Sequence, residues 1–335
     1  MKPLSDIIKL VLLVISVQCY AITDDQVPFD DTLLEEALVY PDWFELSGGD
    51  ISEILAEAVA EGKDGVIIYF GQKRCAYCEQ FLNTNLTSPD ISHYVQKHYK
   101  IIPIDIWGIE DVIDTDGKKY SERELSIHYK TNFTPSLVFY DKQGKPIFRL
   151  RGYHPPYKFH AALKYVTEGF YKTETFRDYI ARAEPDLFFM LGGLIERDFF
   201  NKPPYVLDAK NSKPLAVFFE QGNCHSCDLL HTGPLNKNDV LKELNKMDAI
   251  QLDMWSDTKV VTPEGKNTTA KQWAADLKLF NAPTILFFDE SGKEIIRIDS
   301  VVEFYRLAGV LDYMNRRGFK THGYQAWRLS DRKIK

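Results

Sequence analysis

"FGQKRCAYCEQF" occupies Phe70–Phe81, and "FFEQGNCHSCDLL" occupies Phe218–Leu230. In both stretches an apolar run ends in a short polar turn and a Cys-x-x-Cys pair. Whether such pairs are metal clamps, staples or redox centres depends on what surrounds them. Cys75 and Cys224 stand 149 positions apart, and the correspondence reaches well beyond the cysteines. "IDIW" at Ile104–Trp107 answers "LDMW" at Leu252–Trp255, and "TPSLVFYDKQGKPIFRL" at Thr134–Leu150 answers "APTILFFDESGKEIIRI" at Ala282–Ile298, both at an offset of 148. "PDWFELSGG" at Pro41–Gly49 resembles "PDLFFMLGG" at Pro185–Gly193 at an offset of 144, so the second unit holds extra residues around Asn201–Asp208. Several motifs kept in order at one long period mark a duplicated domain rather than a solenoid.

The 335 residues suffice for two domains, each with its own core. A formal charge of -7 without a long basic run argues against a reader of nucleic acid. At the start, Lys2, the apolar run Leu10–Val17 and Ala21 read as a secretory signal peptide over residues 1–21. The domains then span 22–170 and 171–335. A membrane enters this reading for export, or if the leader stays as an uncleaved anchor. Removing the leader removes Cys19, and four of the five cysteines remain, all within the two pairs. A disulfide three residues long closes little chain entropy, so stapling explains these pairs poorly.

Each unit follows one plan. In the first, Ile51–Glu61 has helical spacing behind a possible Asp50 cap, and Val66–Phe70 is a short buried-strand run. A helix begins at Cys75. Lys100–Ile106 is a strand, and Ser121 with Glu124 resembles a capping box. Ser136–Tyr140 and Pro146–Leu150 form two strands about a glycine-containing turn, and Tyr157–Thr167 closes the unit as a helix. The second unit repeats this from Leu215 to Asn315. The expected class is α/β, with a mixed central sheet flanked by helices in each domain.

A cysteine in the first turn of a helix meets unpaired backbone N–H groups and the positive end of the helix dipole, which favour thiolate, the attacking species. The second cysteine, one turn along, can resolve the mixed disulfide. Cys75 and Cys224 are the expected nucleophiles, Cys78 and Cys227 the resolving thiols. His225, beside Cys224, can tune its proton; Tyr77 and Ser226 shape access. Asp105 and Asp253 close strands two residues before Trp107 and Trp255, which read as rim structure or as an aromatic shelf for substrate.

Taken together, strand, Cys-x-x-Cys and a proline before the last two strands, all found twice, resemble a tandem thioredoxin-fold protein of the secreted thioredoxin-related, SoxW-like group. Pro135 lies 60 positions after Cys75 and Pro283 59 after Cys224. The resemblance implies that both prolines are cis and face the cysteines, with Thr134-Pro135 and Ala282-Pro283 as the second side of each exchange site. It also implies a periplasmic or secreted oxidoreductase, needing no cofactor, that exchanges disulfides with protein partners in the reductive direction and draws electrons from another redox protein. One departure stands out: Tyr69 and Phe218 occupy the positions where thioredoxins carry a buried aspartate. Two other readings stay open: one catalytic domain with one partner-binding or relay domain, or a thiolate metal-binding protein.

Overall fold

The computed structural model describes residues 29–46, 49–183, 193–208 and 213–332. The leader and most of the Pro185–Gly193 motif lie outside the described residues.

In the first domain, α1 (Ile51–Ala60) starts where the Asp50 carboxylate accepts the Ser52 and Glu53 amides at 2.8 and 3.4 Å. Its apolar stripe, Ile51, Ile54, Leu55 and Ala58, is buried. Then follow β1 (Gly65–Gly71), α2 (Ala76–Gln80) with a π turn over Phe81–Asn85, α3 (Pro89–His98) and β2 (Tyr99–Asp105). A small hairpin of β3 (Asp111–Ile113) and β4 (Lys119–Ser121) leads into α4 (Glu122–His128), whose start is held by the Ser121–Glu124 capping box. The domain continues with β5 (Ser136–Asp141), β6 (Pro146–Arg151), α5 (Pro156–Thr167) and α6 (Phe176–Ala183).

The central sheet has the order β2-β1-β5-β6, with β1 parallel to β2 and antiparallel to β5. Because β1 is central, all seven of its residues are buried, and its two faces feed two cores. Ile67 and Tyr69 join the core beneath α2, α3 and α5, while Val66, Ile68 and Phe70 join the core beneath α1 and α4. Burying each such side chain stabilises the fold by about 1.5–3 kcal/mol.

The second domain repeats this. After the short β7 (Tyr205–Val206) come β8 (Leu215–Glu220), α7 (His225–Thr232), α8 (Asn238–Leu244) and β9 (Asp248–Asp253). A small sheet joins β10 (Lys259–Val261) to β11 (Asn267–Thr269) and to β7, so part of the extra stretch Asn201–Asp208 became its third strand. Next are α9 (Ala270–Asp276), β12 (Thr284–Phe288), β13 (Glu294–Ile298), α10 (Phe304–Asn315) and α11 (Tyr324–Arg332). The main sheet runs β13-β12-β8-β9, the same order as in the first domain.

The domains pack directly on each other. Val301, Trp255 and Phe280 of the second half join the first half's core, and Phe133 of the first joins the second's. Polar bonds cross the same boundary. Arg177 donates to the Leu279 and Met254 carbonyls at 2.6 and 3.3 Å and lies 3.9 Å from the centre of the Trp255 ring. Gln325, its counterpart at an offset of 148, donates to Ser126 Oγ at 3.3 Å. Burial lowers the Arg177 pKa to about 10, a cost that its two carbonyl acceptors and the indole face offset.

Candidate redox sites

Both cysteine pairs are disulfides, with Cα atoms 5.1 Å apart in each. Each leading cysteine is an N-cap in extended conformation, so the chain turns from strand end into helix at the sulfur itself. Cys75 Sγ accepts the Cys78 amide at 3.0 Å, and Cys224 Sγ accepts the Cys227 amide at 3.1 Å. These amides are among the donors a helix start leaves unpaired, and they would favour a thiolate once the disulfide opens.

The proline loops stand opposite. Thr134–Pro135 and Ala282–Pro283 are both cis; Pro203–Pro204, which the sequence reading did not single out, is cis as well. Cys75 Sγ lies 3.8 Å from the Thr134 carbonyl oxygen and 3.2 Å from its Oγ1. Cys224 Sγ lies 3.7 Å from the Ala282 carbonyl oxygen. The structure therefore brings together the four cysteines, both prolines and the residue before each. Chemically, an incoming thiolate could attack the leading sulfur in line with the bond to the resolving sulfur, which leaves as the second thiolate.

The two centres differ in their surroundings. Ala76 and Tyr77 are both buried in the first centre, whereas in the second His225 is exposed and Ser226 buried. All four cysteines are buried; of the leading pair, Cys75 is 2% exposed and Cys224 8%. Tyr77 is an anchor. Its hydroxyl donates to Asp31 at 2.9 Å and accepts the Glu303 amide at 2.8 Å, while burial pushes its phenol pKa well up. Trp107 and Trp255 are half-buried, and their indole N–H groups donate to Gln72 and Gln221, the residues just after each cysteine-leading strand, at 2.7 and 3.0 Å. Their backbone amides are held by Asp105 and Asp253. Glu79 and Asp228 are exposed.

Sequence reasoning missed three groups. Arg306, buried in α10, donates to the Thr134 carbonyl at 2.9 Å. Asp31 and Leu33, ahead of the first repeat, reach the first centre, where Leu33 pairs antiparallel with Cys75. Glu220 and His231, both essentially inaccessible, are bonded at 3.0 Å at the end of β8 and one turn beyond Cys227. A usable signal existed for two of them: Arg306 matches Lys158 at the repeat offset of 148, and Glu220 is a carboxylate ending an otherwise apolar run.

The family described as thioredoxin-like domain matches residues 51–167 and 207–315. Disulfide bond reductase DsbH of Chlamydia pneumoniae is 24% identical over 104 residues, covering 31% of this chain and 61% of that protein. The chain thus spans about three fifths of the length of this curated relative. Among solved structures, a thioredoxin-fold protein from Helicobacter pylori is 27% identical, covers 36% of this chain and 84% of its own, and superposes with a TM-score of 0.33. A thioredoxin from Thermus thermophilus is 27% identical, with coverages of 37% and 88% and a TM-score of 0.30. Matched twice and over more than half its length, the chain belongs to the thioredoxin-like domain family.

Proposed function

We propose that this tandem member of the thioredoxin-like family is a protein thiol–disulfide oxidoreductase that works reductively through Cys75–Cys78 and Cys224–Cys227. The observation that carries the reading is the same construction found twice: a disulfide at a helix N-cap, its leading sulfur 3.7–3.8 Å from the carbonyl before a proline. In the reduced state the leading thiolate attacks a partner disulfide and one partner sulfur leaves as thiol. The resolving thiolate then attacks the leading sulfur, the second partner sulfur leaves, and the centre ends as a disulfide. Two electrons pass to the partner, and another dithiol protein restores the centre. The reductive sense is supported by the relative's designation as a disulfide bond reductase.

The leader at residues 1–21 supports export, so the proposed place of action is the periplasm or the exterior. Placement in the SoxW-like group rests on the leader and the paired motifs alone. Proline-loop residues Thr134, Pro135, Ala282 and Pro283, with His225 and Ser226, are the proposed partner-facing groups, whereas Tyr77 is buried and held by Asp31 and the Glu303 amide. The proposed boundary between the two domains lies at 170/171. The test is insulin reduction with dithiothreitol as electron source, using wild type, Cys75→Ser, Cys224→Ser and the double variant. Loss of all activity in the double variant supports the reading; undiminished activity there overturns it.

A further inference from the structure

The first redox centre receives one charged side chain from each half of the chain. Arg306, on α10 of the second domain, is buried, and its Nη2 donates to the Thr134 carbonyl at 2.9 Å. That carbonyl oxygen lies 3.8 Å from Cys75 Sγ, so a single peptide oxygen stands between the guanidinium and the sulfur. Nη1 donates to Ser300 Oγ at 3.2 Å and to the Val301 carbonyl at 3.0 Å. These three acceptors carry no formal charge, so they fix the cation without neutralising it. The guanidinium also lies 3.4 Å from the centre of the Tyr77 ring, within the Cys-x-x-Cys pair itself.

Asp31, of the first domain, meets the same tyrosine at its hydroxyl. Its carboxylate accepts that hydroxyl at 2.9 Å and the Tyr305 and Arg306 amides, each at 2.8 Å. Its own segment carries it there: Leu33 pairs antiparallel with Cys75, and Leu38 N donates to Lys73 O at 2.7 Å. Arg74, Glu243, Asp312 and Arg328 also border the cleft at Cys75, but they are partly or fully exposed, as is Lys73, and water and salt screen them. Glu303, half-buried just before α10, has its pKa raised to about 7 by burial and Asp31. A buried charge acts through a lower dielectric and is felt more strongly.

We propose that Arg306 and Asp31 are positioning residues that set, in opposite senses, how readily Cys75–Cys78 opens: the guanidinium stabilises the Cys75 thiolate and the carboxylate opposes it. The proposal rests on the oxidoreductase reading above, and it adds that the second domain tunes the first domain's centre. Opening the disulfide takes two electrons and leaves Cys75 as thiolate and Cys78 as thiol. With dithiothreitol as donor, the reagent closes to its cyclic disulfide and gives up two protons, one to Cys78 and one to solvent. Whatever stabilises the thiolate therefore favours the open form and makes the centre the stronger oxidant.

The experiment uses the full chain with all its cysteines, so that Cys224–Cys227 serves as a reference within the same molecule. Wild type, Arg306→Met, Arg306→Lys and Asp31→Asn are equilibrated in dithiothreitol redox buffers at about pH 8, above the Glu303 midpoint. Acid quenching, alkylation and peptide mass spectrometry then read each pair, and circular dichroism confirms the fold. Arg306→Met is expected to lower the equilibrium constant for opening Cys75–Cys78 by about threefold or more, and Asp31→Asn to raise it by a similar factor. Arg306→Lys, which keeps the charge, stays nearer wild type than Arg306→Met, and Cys224–Cys227 shifts less than Cys75–Cys78 in every variant. The pH midpoint for alkylation of reduced Cys75 rises in Arg306→Met and falls in Asp31→Asn. A purely structural role would move both variants the same way, because both loosen the same contacts. Shifts of one sign, or no shift in the folded variants, would overturn the proposal. A wild-type chain in which neither disulfide opens while folded would overturn it together with the oxidoreductase reading.

Discussion

Arg151 and Asp299 hold the same position in the two halves of the chain, and Arg151 Nη1 donates to Asp299 Oδ2 at 3.1 Å. Two equivalent residues meet only where equivalent surfaces face each other about a pseudo-two-fold axis, as in an isologous dimer. The neighbours agree: the Val301 amide donates to the carbonyl of its counterpart Tyr153 at 3.3 Å. Lys158 and Arg306, also counterparts, each reach the other domain's proline loop. The duplicated halves are thus packed as two copies of one domain would pair, and each helps to build the other's redox site.

The Arg151–Asp299 ion pair itself should contribute little. Its arginine side chain is 44% exposed, and pairs of this kind are worth about 0–1 kcal/mol. A double-mutant cycle with Arg151→Ala and Asp299→Ala, read by urea unfolding, is expected to give a coupling below about 1 kcal/mol. A coupling several times larger would mean that the axis depends on charge instead of packing.

Gly152 should matter more. It sits at φ +76, and an added Cβ would stand 2.0 Å from Ser300 Oγ across the domain boundary. Gly152→Ala is therefore expected to destabilise the chain by roughly 1–3 kcal/mol through crowding and backbone strain. Adding Ser300→Gly should restore the crowding part alone, giving a partial recovery of the melting temperature. Full tolerance of Gly152→Ala would contradict this close approach.

His154 gives the boundary a sensitivity to acid. Burial first, then the positive charges of Lys158 and Arg306, lower its pKa to about 3, with the Arg151 backbone offsetting part of the cost. The unfolded chain takes up this proton below about pH 6.5, the folded chain near pH 3, so stability is lost as pH falls across that interval, at up to about 1.4 kcal/mol per unit. Glu303 acts in the opposite sense: burial and Asp31 raise its pKa to about 7, so its contribution grows as pH falls from 7. The contrast between wild type and His154→Leu isolates the histidine. Urea midpoints measured from pH 7.5 down to 4.5 should fall more steeply in wild type, and parallel curves would refute the assignment.

Glu220 should be a specific weak point of the second domain. Its carboxylate accepts from Gln251 Nε2 at 3.1 Å and bonds His231 Nε2 at 3.0 Å, while Arg197 holds the far side of the imidazole at 3.3 Å. Glu220→Ala would strand the buried His231 imidazole, at about 1–3 kcal/mol. Hydrogen exchange should then speed up in β8 and α7, with β1 and α2 little changed. Uniform loss of protection in both domains would show that the pair supports the whole chain.

The fold was legible where its signals are local. The run Val66–Phe70, the Ser121–Glu124 capping box and the motif Thr134–Leu150 state their own conformations, and the repeat then doubles each reading. The cysteine pairs announce their chemistry because helix position and spacing suffice to argue it. Arg306 did not announce itself, since its meaning depends on a partner 172 positions earlier, and pairing between domains leaves no periodic trace. The hairpin Asp111–Ser121 went unread for a different reason: three-residue strands carry too few residues for alternation to show.

The central claim is that both disulfides open and close while the protein stays folded. The direct measurement is equilibration of the native chain in dithiothreitol redox buffers, followed by acid quenching, alkylation and peptide mass spectrometry. The account predicts two reversible two-electron transitions, one for Cys75–Cys78 and one for Cys224–Cys227, each complete while circular dichroism remains native. A pair that stays oxidised until the chain unfolds would be a buried staple, and that result would contradict the account.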